Sequence, residues 1–202
     1  DFIDTQFPAA DHDGKLKTEY CLLNTVPLLG YLGRFTKAKG VHYLVQALGM
    51  LKRRGVAFHA FLVGPRPAVP KPSLKMRIAR LLGRRSYIET LDALIAREDI
   101  EDEVTFTGER TDIGEIVSEL DLLVIPFTEP HFSRLCGEAA MMGKVAIAFD
   151  IDGPGEEIRN GRTGWLVKPF DVAALAECIE HALANPDECR RMGEAAKRHA
   201  DE

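Results

Sequence analysis

The sequence predicts an α/β fold, a doubly wound, Rossmann-like parallel sheet of about six strands. Short apolar runs rich in Val, Ile, Leu and Phe alternate with longer amphipathic segments, the pattern of repeated β-α units. Each apolar run stops at Gly, Pro, Asp or a polar turn. A hydrophobic content of 46% over 202 residues is enough to fill the core that such a sheet needs.

Residues 1–24 are polar, and Pro8, Asp11, Asp13 and Gly14 give them no steady period, so they read as a linker. The domain itself is expected over 25–185. Its strands are predicted at Val26 to Leu32, Ala57 to Val63, Val104 to Thr107, Leu122 to Ile125, Val145 to Ala148 and Gly164 to Val167. Val41 to Arg54 puts Leu44, Ala47, Leu48 and Leu51 on one helical face. Val172 to Ala184 does the same with Leu175, Ile179, Ala182 and Leu183. Asn185-Pro186 then caps and opens a terminal helix to His199, within a closing segment 186–202.

Charge and composition exclude several functions. A net charge of -5 argues against general nucleic-acid binding, which needs surplus cations to neutralise phosphates. Cys21, Cys136, Cys178 and Cys189 lack C-x-x-C spacing and a His partner at zinc-finger distance, and read as reduced cytosolic thiols. No apolar run reaches the length of a membrane span, and the N-terminus lacks the order of a signal peptide, so a cytoplasmic location is expected. One stretch stands apart. Pro65 to Arg85 carries Arg66, Lys71, Lys75, Arg77, Arg80, Arg84 and Arg85 with no acid, and Leu74, Ile78, Leu81 and Leu82 form an apolar stripe. It fits either a peripheral contact of 65–85 with anionic lipid or a solvated surface helix.

In an open parallel sheet, ligands bind beyond the carboxyl ends of the strands. The first such turn is Gly33-Arg34-Phe35-Thr36-Lys37-Ala38-Lys39-Gly40. Arg34 offers a planar fork for phosphate oxygens and Lys39 a mobile point charge, although a basic turn of this kind can also be merely solvated. The fourth strand leads into Pro126-Phe127-Thr128-Glu129-Pro130-His131-Phe132-Ser133-Arg134, then Leu135 and a helix containing Glu138. Ser133 and Gly137 near that helix start can expose amides to phosphate, and Glu138 is placed to accept from sugar hydroxyls. Each acid also has a plain reading as a helix-dipole partner or a solvated side chain.

Together these segments resemble the retaining glycosyltransferases of GT-B architecture known as glycosyl transferases group 1. Ile3-Asp4-Thr5-Gln6-Phe7 resembles the segment entering their second Rossmann-like domain, and Gly33 to Gly40 their Gly-Arg-x-x-x-x-Lys-Gly turn. Phe61-Leu62-Val63-Gly64 and Val104-Thr105-Phe106-Thr107-Gly108 resemble the second and third strands. Glu138 to Val145 is similar to "E-A-x-A-x-G-x-P-V", and Gly161 to Val167 to "G-x-T-G-x-L-V". These matches keep order and separation over about 165 residues.

The resemblance implies that this chain is the donor-binding half of a two-domain enzyme. A UDP-, GDP- or ADP-sugar would be the donor, with no cofactor and no metal, and transfer would retain configuration. Acceptor glycan or lipid-linked glycan would be recognised by an N-terminal domain, without which the chain would turn over negligibly. Arg34 and Lys39 would hold the diphosphate, Glu138 the ribose, and Glu129 the transferred sugar. Gly33, Gly64, Gly108, His131, Phe132, Ser133, Arg134 and Leu135 would complete the donor site. The sequence departs from the family at one point: Glu129 and Glu138 enclose eight residues where the family has seven, which leaves Pro130 at the first acid's place. Either the loop bulges to return Glu129 to the sugar, or His131 and the backbone take that contact. The rival expectations are a nucleotide-sugar epimerase or phosphorylase of the same architecture, and a non-enzymatic interaction module.

Overall fold

A strand that reads Leu-Leu-Gly-Tyr-Leu has no polar face to give to water and must be covered on both sides. In the computed structural model, which describes residues 14–66, 86–130 and 134–200, that segment is β1 (Leu28–Leu32), buried at every position. It pairs in parallel with β2 (His59–Val63) on one side and β4 (Leu122–Ile125) on the other. Beyond them lie β3 (Val104–Gly108) and, in turn, β5 (Ala146–Phe149) and β6 (Gly164–Val167), giving the order β3-β2-β1-β4-β5-β6. Burial follows position: β2, β4 and β5 are buried throughout, whereas edge strand β3 is only half-buried.

The six-stranded α/β Rossmann-like reading holds, with ends that move. Leu122–Ile125 and Gly164–Val167 coincide with expectation. The first two strands begin two residues late, because the amide of His59 donates to the Pro27 carbonyl while the amide of Leu28 donates to the Asp121 carboxylate. Helices α2 (Val41–Arg53) and α7 (Val172–Ala184) bury the faces read from their periodicity, except that Leu183 is partly buried. The terminal helix α8 runs Pro186–Ala200.

Among the described residues, four other helices carry chain between strands: α3 (Tyr87–Glu98), α4 (Ile113–Glu119), α5 (Arg134–Met141) and the short α6 (Pro154–Glu157). Within the segment expected to be a plain linker, Lys15–Glu19 forms α1. Its Leu16 is buried, the Leu16 amide donates to the Glu119 carboxylate at 2.7 Å, and the following Tyr20 sets its ring edge-on to Phe61. Ile3–Phe7 and all of the basic stretch except Pro65 and Arg66 lie outside the described residues.

Phe170, between β6 and α7, has φ 66°. A bulky side chain in that left-handed region costs roughly 1–2 kcal/mol.

Candidate functional site at the carboxyl edge of β1 and β4

From β1 the chain winds outward through β2 to β3, then returns to β4 on the other flank of β1. The connections after β1 and β4 therefore leave in opposite directions and open a crevice between them. The turn after β1 holds Arg34 and ends in a single 3₁₀ turn, Lys37–Lys39, before α2. Buried Tyr31 donates its hydroxyl to the Arg34 carbonyl at 2.9 Å, and Phe35 is buried on the Tyr31 ring at 5.9 Å between centroids. Burial pushes the Tyr31 hydroxyl well above its usual range, so it stays a donor. The Arg34 backbone is thus pinned while the residue itself is exposed.

The loop after β4 packs directly on this turn. The Thr128 amide donates to the Ala38 carbonyl at 2.9 Å, and the Thr128 hydroxyl donates to the carbonyls of Ala38 and Lys37 at 3.1 and 3.2 Å. The Lys39 ammonium lies 3.8 Å from the centroid of the Phe127 ring. Burial holds the Lys39 pKa below the ordinary lysine value; the charge of Arg34 lowers it further, and Glu129 opposes both. Lys39 thus stands within electrostatic reach of both Arg34 and Glu129. An anion placed between the cations would relieve their repulsion.

Glycines make the rim bare on the other flank. A Cβ at Gly64 would lie 2.1 Å from the Gly33 carbonyl oxygen. The Gly33 amide donates to Val63 at 2.9 Å, and the Gly64 amide to Gly108 at 3.0 Å, so the three glycines sit side by side at the ends of β1, β2 and β3. Arg134 is exposed at the start of α5, Leu135 packs against the core, and Glu138 is half-buried in the second turn of that helix. His131, Phe132 and Ser133 lie outside the described residues.

The structure therefore brings Arg34, Lys39 and Glu129 to one crevice and hangs Glu138 on the same connection as Glu129. What sequence reasoning missed is the joint between the loops: Pro126, Phe127 and Thr128. A cavity of about 380 Å³ opens at the opposite edge, lined by Val26, Asp121, Lys144 and Pro186 among others. That edge is a poor home for phosphate, because helix carboxyl ends point to it and Lys144 already donates to the Leu120 carbonyl at 3.0 Å. Among the described residues, no group of three or more His, Cys, Asp or Glu side chains is arranged to hold a metal ion. No helix among them is long and apolar enough to cross a membrane.

Comparison with known proteins points the same way. The family model described as "Glycosyl transferases group 1" matches residues 18–199. The chain is 29% identical over 196 residues to the alpha-D-kanosaminyltransferase of Streptomyces kanamyceticus, covering 95% of this chain and 46% of that protein. It superposes with TM-score 0.78 on Alr3699/HepE of Anabaena in complex with UDP and glucose, at 26% identity, over 93% of this chain and 46% of that one. A glycosyltransferase from Rickettsia africae matches at TM-score 0.77 and 27% identity, over 93% and 46% of the two chains. The chain spans about half the length of the curated relatives it matches first.

Proposed function

The chain belongs to the glycosyl transferases group 1 family, and from that premise we propose that it binds the nucleotide-sugar donor for a glycosyl transfer that retains configuration. The observation that carries the proposal is the juxtaposition of Arg34, Lys39 and Glu129 at the β1/β4 crevice.

Transfer from a nucleotide sugar creates two charges, a leaving diphosphate and an oxocarbenium-like sugar. Arg34 takes phosphate oxygens in its fork, and the bound anion favours the charged form of Lys39, opposing the burial and the Arg34 charge that lower its pKa. These two cations do the work that a divalent ion does elsewhere. Glu129, within electrostatic reach of Lys39, faces the sugar, and Glu138 accepts from the ribose hydroxyls. The bare row of Gly33, Gly64 and Gly108, with no side chain at the strand ends, lets a ligand approach the backbone closely. The acceptor, a glycan or lipid-linked glycan, is recognised by a second domain in proteins of the relatives' length. A neighbour solved with UDP and glucose over this same fold supports the donor class.

A thermal-shift screen of UDP-, GDP- and ADP-sugars on this chain tests the reading. Stabilisation grows with ligand concentration over Kd, so even a millimolar binder raises the melting temperature at high concentration. One nucleotide series should stand out; a flat response to all three at several millimolar would defeat the proposal.

A further inference from the structure

Arg110 commits all three nitrogens of its guanidinium to two carboxylates. Its Nε and Nη2 donate to the two Asp112 oxygens at 2.8 and 2.7 Å, and its Nη1 and Nη2 donate to the two Glu19 oxygens at 2.9 and 3.4 Å. Only 19% of the side chain is exposed. Asp112 stands just before α4, where an aspartate ordinarily accepts an amide of its own helix, yet its side chain makes no such bond. Its carboxylate is turned to Arg110 instead, with the Lys15 ammonium 3.7 Å away. Hydrogen bonds from Arg110 hold the Glu19 and Asp112 carboxyls below their usual range.

Glu19 belongs to α1, so these bonds tie a helix outside the sheet to the loop that follows β3. At the other end of α4, the Glu119 carboxylate accepts the Leu16 amide and fastens α1 a second time. The loop is also held where it begins, because the Gly108 carbonyl accepts the Gly64 amide at 3.0 Å. Between these anchors Glu109 and Thr111 are exposed. Among the described residues, no hydrogen bond is made to the backbone groups of Glu109, Arg110 or Thr111. A side chain fixes this loop, and its amides and carbonyls face outward as a row of donors and acceptors.

Topology sets that row beside the donor crevice. Crossovers between parallel strands are right-handed, so the connections from β3 to β4 and from β4 to β5 run over the same face of the sheet. The loop after β3 and helix α5, with Glu138, therefore face each other across the bare ends of β2 and β1. A nucleotide with its diphosphate at Arg34 and Lys39 and its ribose at Glu138 has its base left to place. Resting on the donor-binding reading above, we propose that Arg110 is a positioning residue: gripped by Glu19 of α1, it holds the backbone of residues 109–111 in the register that reads the polar edge of the nucleobase. α1 is then part of the donor site's frame while touching no ligand.

Calorimetric titration of UDP, GDP, ADP and inorganic pyrophosphate into the chain, Glu19→Gln, Arg110→Ala and the double variant separates positioning from simple support of the fold. Pyrophosphate meets Arg34 and Lys39 but carries no base. Whichever nucleotide binds the unsubstituted chain should bind about tenfold more weakly to both single variants, with pyrophosphate affinity unchanged. The double variant should lose no more than Arg110→Ala, because both changes release the same grip. Glu19→Gln keeps the shape of a half-exposed side chain, so it carries the test even where Arg110→Ala does not fold. Unchanged nucleotide affinity in Glu19→Gln, or an equal fall for pyrophosphate, would overturn the proposal. So would a nucleotide that binds the unsubstituted chain no more tightly than pyrophosphate does. Absence of both nucleotide and pyrophosphate binding in the unsubstituted chain would instead strike the donor reading itself.

Discussion

Gly40 and Pro126 approach so closely that a Cβ on Gly40 would lie 1.7 Å from the Pro126 carbonyl oxygen. This contact seats the β4 loop on the β1 turn and so sets the distance between the cations and Glu129. The glycine that ends the Gly-Arg-x-x-x-x-Lys-Gly turn is thus filled by the protein's own backbone.

Gly40→Ala tests that joint. The substitution adds a left-handed strain at φ 64° to a backbone collision that no rotamer can relieve. Left-handed strain costs about 1–2 kcal/mol and overpacking about 1–3 kcal/mol, so chemical denaturation should show a loss of roughly 2–5 kcal/mol. Nucleotide affinity should fall as well, because the two loops separate. A variant as stable as the parent would show that the loops are not locked together.

Lys39 predicts a pH dependence of binding. Its folded pKa lies below the ordinary lysine value, chiefly through burial and then through Arg34. A bound diphosphate favours the charged form, so binding takes up a proton wherever free Lys39 has lost one. Nucleoside diphosphate affinity should therefore decline as pH rises through the folded Lys39 pKa. In Lys39→Arg the decline should vanish from that range, since a guanidinium keeps its charge. Parallel profiles for the two proteins would remove Lys39 from the site.

Much of this was legible in the sequence because the central strands are buried on both faces and leave long apolar runs. Helices α2 and α7 were equally plain, each with a full apolar face over three turns. Four other helices among the described residues were not read. α3 carries a readable signal, the Ser86–Glu89 capping box in which the Glu89 amide donates to Ser86 at 3.2 Å and the Ser86 amide to Glu89 at 2.8 Å. α1, α4 and α6, with five, seven and four residues, are too short for a helical period to declare itself. At the site, Arg34, Lys39 and Glu129 announced themselves by charge. Gly40, Pro126 and Thr128 did not, because their part is one backbone collision and shared carbonyls, which only the meeting of two distant turns creates.

The most direct test of the donor clamp is calorimetric titration of UDP, GDP and ADP into the chain and into Arg34→Ala. Loss of a charge-assisted fork costs roughly 2 kcal/mol or more, so affinity for whichever nucleotide binds should drop at least about thirtyfold with folding intact. Equal affinity in the two proteins would contradict the clamp and, with it, the placement of the donor at the β1/β4 crevice.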